Sequence, residues 1–298
     1  MRTDTSFRTS DGITLKGWVY TPTHPAARPF PAIVMAHGFS GVKEQYLDRY
    51  AQVFAEAGFV VLVYDNRNFG DSGGMPRQEI DPVLQVRDYR DGISHLCSLE
   101  YVDAHRIGIW GSSYSGGHVL QVAAFDRRVK CVVSQVPAIS GSNDVKTAVR
   151  PDLMGGLIDA FNTDRENQFR GAAPEMIEVV SLDPASGCAL PGDDAYAYFV
   201  DSARDFAPNW QNTITLRSIE LLNEYEPGYA IDRISPTPLL MIVALLDTCA
   251  PADQALRAYE RALQPKALVT LPCTHFQPYI EHFAKTSGDA LDWFQKHL

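Results

Sequence analysis

Three residues in this chain have the types and the order that acyl-transfer chemistry requires: Ser113, Asp247 and His275. A serine hydroxyl is a poor nucleophile at neutral pH and needs a neighbouring base, which a neutral imidazole supplies. A carboxylate behind the imidazole fixes its tautomer and stabilises the imidazolium as it forms. Each of the three follows an apolar run that reads as a β-strand: the run through Trp110, Pro238 to Leu246, and Ala267 to Leu271. In an open parallel sheet, the carboxyl ends of the strands form the edge at which ligands bind.

The serine lies in Gly111-Ser112-Ser113-Tyr114-Ser115-Gly116-Gly117. An apolar strand that ends in glycine, then serine, then small residues reads as a strand turning sharply into a helix with one hydroxyl exposed at the bend. The usual pentapeptide is G-x-S-x-G; here the second glycine comes one place late, and Ser115 fills the position that requires a small residue. A plain Gly/Ser turn is the alternative. The strand upstream, the amphipathic Val119, Leu120, Val122 and Ala123 downstream, and the later partners distinguish the two.

The partners have plainer readings as well. Asp247 could end a strand and cap the helix that begins near Pro251. His275 is one of 8 histidines. Asp65 also follows a strand and is the rival acid, though its expected role is to anchor the loop from Asn66 to Gly74. The charge that develops on a carbonyl oxygen needs fixed donors, and backbone N–H groups serve because they cannot ionise. Tyr114, at a helix N-terminus, supplies one; Phe39, in the loop after His37-Gly38, supplies the other. His37 reads as structural, holding that loop.

These residues need a scaffold, and the chain supplies one by alternation. Thr5 to Arg8 and Ile13 to Tyr20 flank the turn signal Ser10-Asp11-Gly12 and read as a hairpin. A proline-rich loop (Pro22, Pro25, Pro29, Pro31) leads to the strand Ala32 to Ala36. Tyr46, Leu47, Tyr50, Val53, Phe54 and Ala57 then recur at helical spacing, with Gly58 as the stop. Phe59 to Tyr64 is a buried strand, and Asp81-Pro82 opens the next helix. The strand to Gly111, a helix to about Phe125, and the strand Val129 to Val136 follow. This β-α alternation means a mostly parallel sheet with helices on both faces.

The alternation stops between about Ala138 and Ala230. That stretch has helical patches, a loop from Asp183 to Asp194, and the aromatics Tyr196, Tyr198, Phe199, Phe206 and Trp210. It reads as a helical lid over residues 138–230, inserted into a core domain made of residues 1–137 and 231–298. After it come a helix from Ala252 to Leu263 and a last helix from about Ser287 to Leu298.

Composition narrows the function classes. The 298 residues can bury a substantial core, with 45% hydrophobic and 21% charged residues. A net charge of −10 argues against nucleic-acid partners. Most of it lies in residues 141–230, where 15 Asp and Glu face 6 Lys and Arg. The apolar run Leu239 to Leu246 is too short to cross a bilayer, and the N-terminus shows no signal segment. The 5 cysteines are scattered, without metal-ligand spacing. The expectation is a cytoplasmic protein with no metal, cofactor or membrane partner.

His37-Gly38-Phe39, the run Tyr64 to Gly73, Gly111 to Gly117, Leu246-Asp247 and Thr274-His275-Phe276 together resemble the α/β-hydrolase superfamily. G-x-S-Y-x-G is similar to the X-prolyl dipeptidyl peptidase and cocaine-esterase-like branch. The layout is nearer to dienelactone-hydrolase-like and fungal polyketide-transferase or thiohydrolase-like proteins. The resemblance implies an eight-stranded α/β-hydrolase sheet, a cofactor-free site, and acyl transfer to water through an acyl-enzyme. Cocaine-esterase-like enzymes place a tyrosine hydroxyl in the oxyanion hole; here Phe39 stands in that loop, which points to a backbone donor. Cys249 and Cys273 flank the site and read as space-fillers.

The expected activity is hydrolysis of a small-molecule carboxylic ester or lactone, the aromatic lid favouring a bulky apolar portion. Thioesterase, acyltransferase and peptidase are the alternatives on the same triad. A non-catalytic binding protein on this fold is the alternative from another class.

Overall fold

A computed structural model describes residues 1–23, 29–183 and 185–298. Pro25 of the proline-rich loop and Pro184 of the Asp183 to Asp194 loop lie outside them. The chain opens with β1 (Arg2–Arg8) and β2 (Thr14–Tyr20), then β3 (Phe30–Ala36), α1 (Leu47–Glu56), β4 (Val60–Tyr64) and α2 (Pro82–Cys97). Next come β5 (Val102–Ser112), α3 (Tyr114–Phe125) and β6 (Val129–Gln135). Asp81 caps α2 as its type and position require, its Oδ1 accepting from the Leu84 N–H at 3.0 Å. β1 begins three places before the expected Thr5, because pairing with β2 continues to Arg2↔Tyr20 along an exposed edge where apolar alternation is weak.

From β6 the chain leaves the sheet. It forms α4 (Gly141–Ala148), α5 (Met154–Phe169), β7 (Met176–Ile177), α6 (Asp193–Asp205), β8 (Ile214–Thr215) and α7 (Arg217–Asn223). A 3-10 helix, Pro227–Ile234, returns it to the sheet through β9 (Leu239–Ala244), α8 (Ala252–Arg261), β10 (Lys266–Leu271) and α9 (Phe283–His297). α9 starts a turn before the expected Ser287. Its added first turn offers a single large apolar residue, Phe283, which packs edge to face on Tyr50 at 4.9 Å, so no apolar repeat marks the start in the sequence.

The main sheet has eight strands in the order β1-β2-β4-β3-β5-β6-β9-β10. It is antiparallel at β1-β2 and β2-β4 and parallel elsewhere. α2 packs on α3 and α1 on α9, the pairs covering opposite faces of the sheet. Every side chain of β4 and β9 is buried, the signature of parallel strands covered on both faces. Burying one such Val, Leu or Ile contributes roughly 1.5–3 kcal/mol, against roughly 0–1 kcal/mol for a surface ion pair. The central strands therefore set the geometry of the edge where Ser113, Asp247 and His275 sit.

Candidate active site

Ser113 stands at the bend between β5 and α3 with φ 58° and ψ −122°. A non-glycine residue holds that conformation only where its surroundings impose it. The Ser113 N–H donates to Gln135 O at 2.9 Å, and its carbonyl accepts from the N–H groups of Ala138 at 3.0 Å and Gly117 at 3.2 Å. The end of β6 thus clamps the bend. A Cβ on Gly111 would lie 2.2 Å from Ser115 O, so no side chain fits there. Ser115 is fully buried, consistent with a small-residue position. The late glycine also has a reason: a Cβ on Gly116 would come within 2.9 Å of Gln135 O and of Pro137 Cα.

The three loops meet. His275 Nε2 lies 2.9 Å from Ser113 Oγ, and His275 Nδ1 lies 2.6 Å from Asp247 Oδ2. Asp247 Oδ1 accepts from the N–H groups of Cys249 at 2.9 Å and Ala250 at 2.8 Å, which aims Oδ2 at the imidazole. A carboxylate only accepts, so Nδ1 carries the proton and Nε2 offers a lone pair to the serine hydroxyl. His275 is 3% exposed. Burial opposes its charging, but the charge and hydrogen bond of Asp247 outweigh burial and raise its pKa, with Asp194 and Asp144 adding to the effect.

The loop after β3 crosses directly over Ser113. A Cβ on Gly38 would lie 2.9 Å from Ser113 Cβ and 3.1 Å from Ser112 O. Among the described residues, no acceptor takes the Phe39 N–H. Tyr114 opens α3, so its N–H has no partner within the helix. Their rings pack edge to face at 5.5 Å, which fixes the two strand-end loops against each other. His37 is buried, donates from Nδ1 to Gly38 O at 2.9 Å, and accepts at Nε2 from the Asn66 N–H at 2.9 Å. Burial brings its pKa down to about 4, so it is a neutral strut for the loop.

Asp65 lies away from the imidazole. Its carboxylate accepts from the Lys43 N–H at 2.7 Å, Lys43 Nζ at 2.8 Å and the Asp71 N–H at 3.0 Å, anchoring the loop that follows. Burial opposes the Lys43 ammonium, but the charge of Asp65 and hydrogen bonds to Asp65, Asp71 and Glu44 hold it charged.

The site opens into a cleft enclosing about 730 Å³, which includes space open to solvent. Helix α6 supplies part of one wall. Tyr198 packs 4.7 Å from Phe276, and Phe199 stacks at 5.2 Å on Trp210, whose indole donates to Ser40 O at 3.0 Å. Gln45 Nε2 donates to Ser202 Oγ at 2.8 Å, tying the same helix to the loop that carries Phe39. Cys249 lines the cleft and Cys273 is buried nearby. Burial pushes both thiols up, Cys273 to about 11, so neither is a nucleophile at neutral pH.

Two side chains at this site carry no signal in the sequence. Tyr279 follows His275 by four residues, and its hydroxyl lies 2.5 Å from Ser112 Oγ, coupling the histidine loop to the serine bend. Asp144, in the first turn of α4, also lines the cleft. An acidic residue at a helix start has an ordinary electrostatic reason to be there, which conceals it. Among the described residues, no group of three or more His, Cys, Asp or Glu could hold a metal ion. No helix among them is long and apolar enough to cross a membrane.

Known proteins share much of this chain's sequence and its fold. A thiohydrolase of Eupenicillium brefeldianum is 35% identical over 269 residues, covering 89% of this chain and 84% of that protein. The quorum-quenching protein AidA of Acinetobacter baumannii (strain MDR-ZJ06) is 32% identical over 295 residues, covering 98% and 94%. The crystal structure of the α/β hydrolase GrgF from Penicillium sp. sh18 superposes with a TM-score of 0.86 at 26% identity, covering 100% of this chain and 99% of that one. The family described as X-Pro dipeptidyl-peptidase (S15 family) matches residues 11–277. With its fold shared by solved hydrolases and its sequence matched over nearly its whole length, this chain belongs to the X-Pro dipeptidyl-peptidase (S15) family of α/β-hydrolases.

Proposed function

We propose that this enzyme is a serine hydrolase that cleaves a carboxylic ester or lactone through an acyl-enzyme on Ser113. The observation that carries the reading is the continuous path from Asp247 Oδ2 through His275 to Ser113 Oγ, at 2.6 and 2.9 Å, inside a mainly apolar cleft. Ser113 Oγ attacks the carbonyl carbon as its proton passes to His275 Nε2. The oxyanion is held by the N–H groups of Phe39 and Tyr114. The imidazolium, stabilised by Asp247, then protonates the departing alcohol oxygen as the C–O bond breaks. Water enters, gives its proton to Nε2, and attacks the acyl carbon; return of that proton to Ser113 Oγ releases the acid. Residues 138–230 form the lid in this reading, with Tyr198 and Phe199 facing the acyl portion.

A second reading is hydrolysis or transfer of a thioester, favoured by relatives named thiohydrolase and polyketide transferase. A thiolate leaves without needing a proton, so the two readings differ in how far they depend on His275 as an acid. Kinetics on matched oxygen-ester, lactone, thioester and amide substrates, with and without an added alcohol acceptor, ranks them. A fluorophosphonate that labels wild type and spares Ser113→Ala supports the acyl-enzyme. Absence of labelling together with absence of turnover on the whole set overturns it.

A further inference from the structure

The cleft has one acidic side chain that the proposed chemistry does not use. Asp144 is 9% exposed, and its Oδ1 accepts from Gln254 Nε2 at 3.1 Å. Among the described residues, nothing bonds its Oδ2, and no Lys or Arg pairs with it. Among the described residues the cleft lining includes no Lys or Arg either, and Leu190, Leu222, Phe199 and Phe276 make much of the rest of it apolar. Oδ2 opens onto the cleft, so whatever occupies the cleft supplies its partner.

We infer that Asp144 is a specificity-determining residue that hydrogen-bonds a hydroxyl on the acyl chain of the substrate, at a carbon removed from the scissile carbonyl. The inference rests on the acyl-pocket reading of the cleft. The choice of hydroxyl follows from proton balance. Burial pushes this carboxyl up to about 7, with Asp247 and Glu226 also raising it and Gln254 and His275 working the other way. Near neutrality it is thus present in both forms. An oxo group needs the acid form as donor, and an ammonium needs the carboxylate. A hydroxyl both donates and accepts, so it satisfies either form. Apolar walls also penalise an ammonium on entry, and the Asp144 carboxylate, with no Lys or Arg beside it, repels an anion.

The test measures binding to Ser113→Ala, which cannot turn substrate over, by calorimetry at neutral pH. The ligands are medium-chain fatty amides bearing one hydroxyl at successive carbons, with the deoxy, oxo and amino analogues alongside. At one position the hydroxylated amide should bind about tenfold tighter than the deoxy parent, as expected for a hydrogen bond to an ionisable group. That ratio should fall to about one in Ser113→Ala/Asp144→Leu, and stay above one in Ser113→Ala/Asp144→Asn, whose amide both donates and accepts. Ser113→Ala/Asp144→Ala serves if the leucine variant does not fold. Equal binding of hydroxylated and deoxy chains, persistence of the preference without the carboxyl, or a preference for the amino or oxo analogue overturns the inference. Since no turnover is read, failure of ester hydrolysis would count against the proposed function and not against this ratio.

Discussion

Asp247 Oδ2 lies 2.6 Å from His275 Nδ1, with both side chains buried and the carboxylate held from behind by two backbone N–H groups. That geometry makes the tautomer of His275 a consequence of Asp247. An asparagine there can present its NH₂ to Nδ1, which moves the imidazole proton to Nε2 and removes the lone pair facing Ser113. Asp247→Asn should therefore lower kcat by on the order of 10³–10⁴ while the protein stays folded. Steady-state kinetics and circular dichroism check this; a loss under tenfold would remove Asp247 from its role.

The same pair predicts the acid limb of the pH profile. His275 must be neutral to take the serine proton, so activity falls as pH drops through its pKa. Asp247 raises that pKa above the ordinary 6.5 despite burial. The limb of kcat/KM should thus lie above 6.5 in wild type. In Asp247→Asn, only the smaller effects of Asp194 and Asp144 still oppose burial, and the limb should move to lower pH. Measuring residual activity across pH for both proteins decides it.

Asp65 tests the assignment from the other side. Its carboxylate pairs with Lys43 at 2.8 Å and takes no part in the imidazole's hydrogen bonds. Removing one partner of a buried pair is costly, and since Glu44 and Asp71 still face the Lys43 ammonium at 2.7 Å, the cost here should be up to about 3 kcal/mol. Asp65→Asn should show that loss in denaturant unfolding, while kcat below its melting range stays within about threefold of wild type. A collapse of kcat with stability retained would make Asp65 the acid instead.

How much of this was legible beforehand depended on whether a residue's neighbours in sequence are its neighbours in space. Ser113, Asp247 and His275 each follow the end of a strand, and strand ends announce themselves through apolar runs. The pairing of Phe39 with Tyr114 could be read likewise, from two strand ends that the sheet order places side by side. Asp144 could not, because its partner Gln254 on α8 and the cleft residues Cys249 and Ala250 after β9 lie more than a hundred residues later. The helices between β6 and β9 give weak signals for a physical reason: α5 is largely exposed, with Ile158 and Phe169 open to solvent, so its apolar residues do not follow one buried stripe. β7 and β8 have two residues each, too short for any alternation.

Charge should govern which substrates approach. Residues 141–230 hold 15 acidic and 6 basic residues, and among the described residues no Lys or Arg lines the cleft. A neutral ester should have a kcat/KM about tenfold above that of an anionic analogue of the same shape at low ionic strength, and the gap should narrow as salt screens it. Polyanionic thioesters such as those of coenzyme A should fare worse still. Equal values at low salt would end the electrostatic argument.

The oxyanion donors make the sharpest steric prediction. A methyl group on Gly38 would sit 2.9 Å from Ser113 Cβ and 3.1 Å from Ser112 O, and neither is the far end of a flexible side chain. The loop would have to lift, carrying the Phe39 N–H away from the carbonyl oxygen it is proposed to bind. Gly38→Ala should lower kcat by on the order of 10²–10³, the loss expected for one oxyanion donor. Gly41→Ala is the comparison in the same loop: its methyl would meet His37 Cβ at 3.3 Å and Gln45 Oε1 at 3.4 Å, clear of Ser113. It should cost far less. If both alanines reduce kcat equally, the loss reflects general disturbance of the loop, and the Phe39 N–H loses its assignment as a donor.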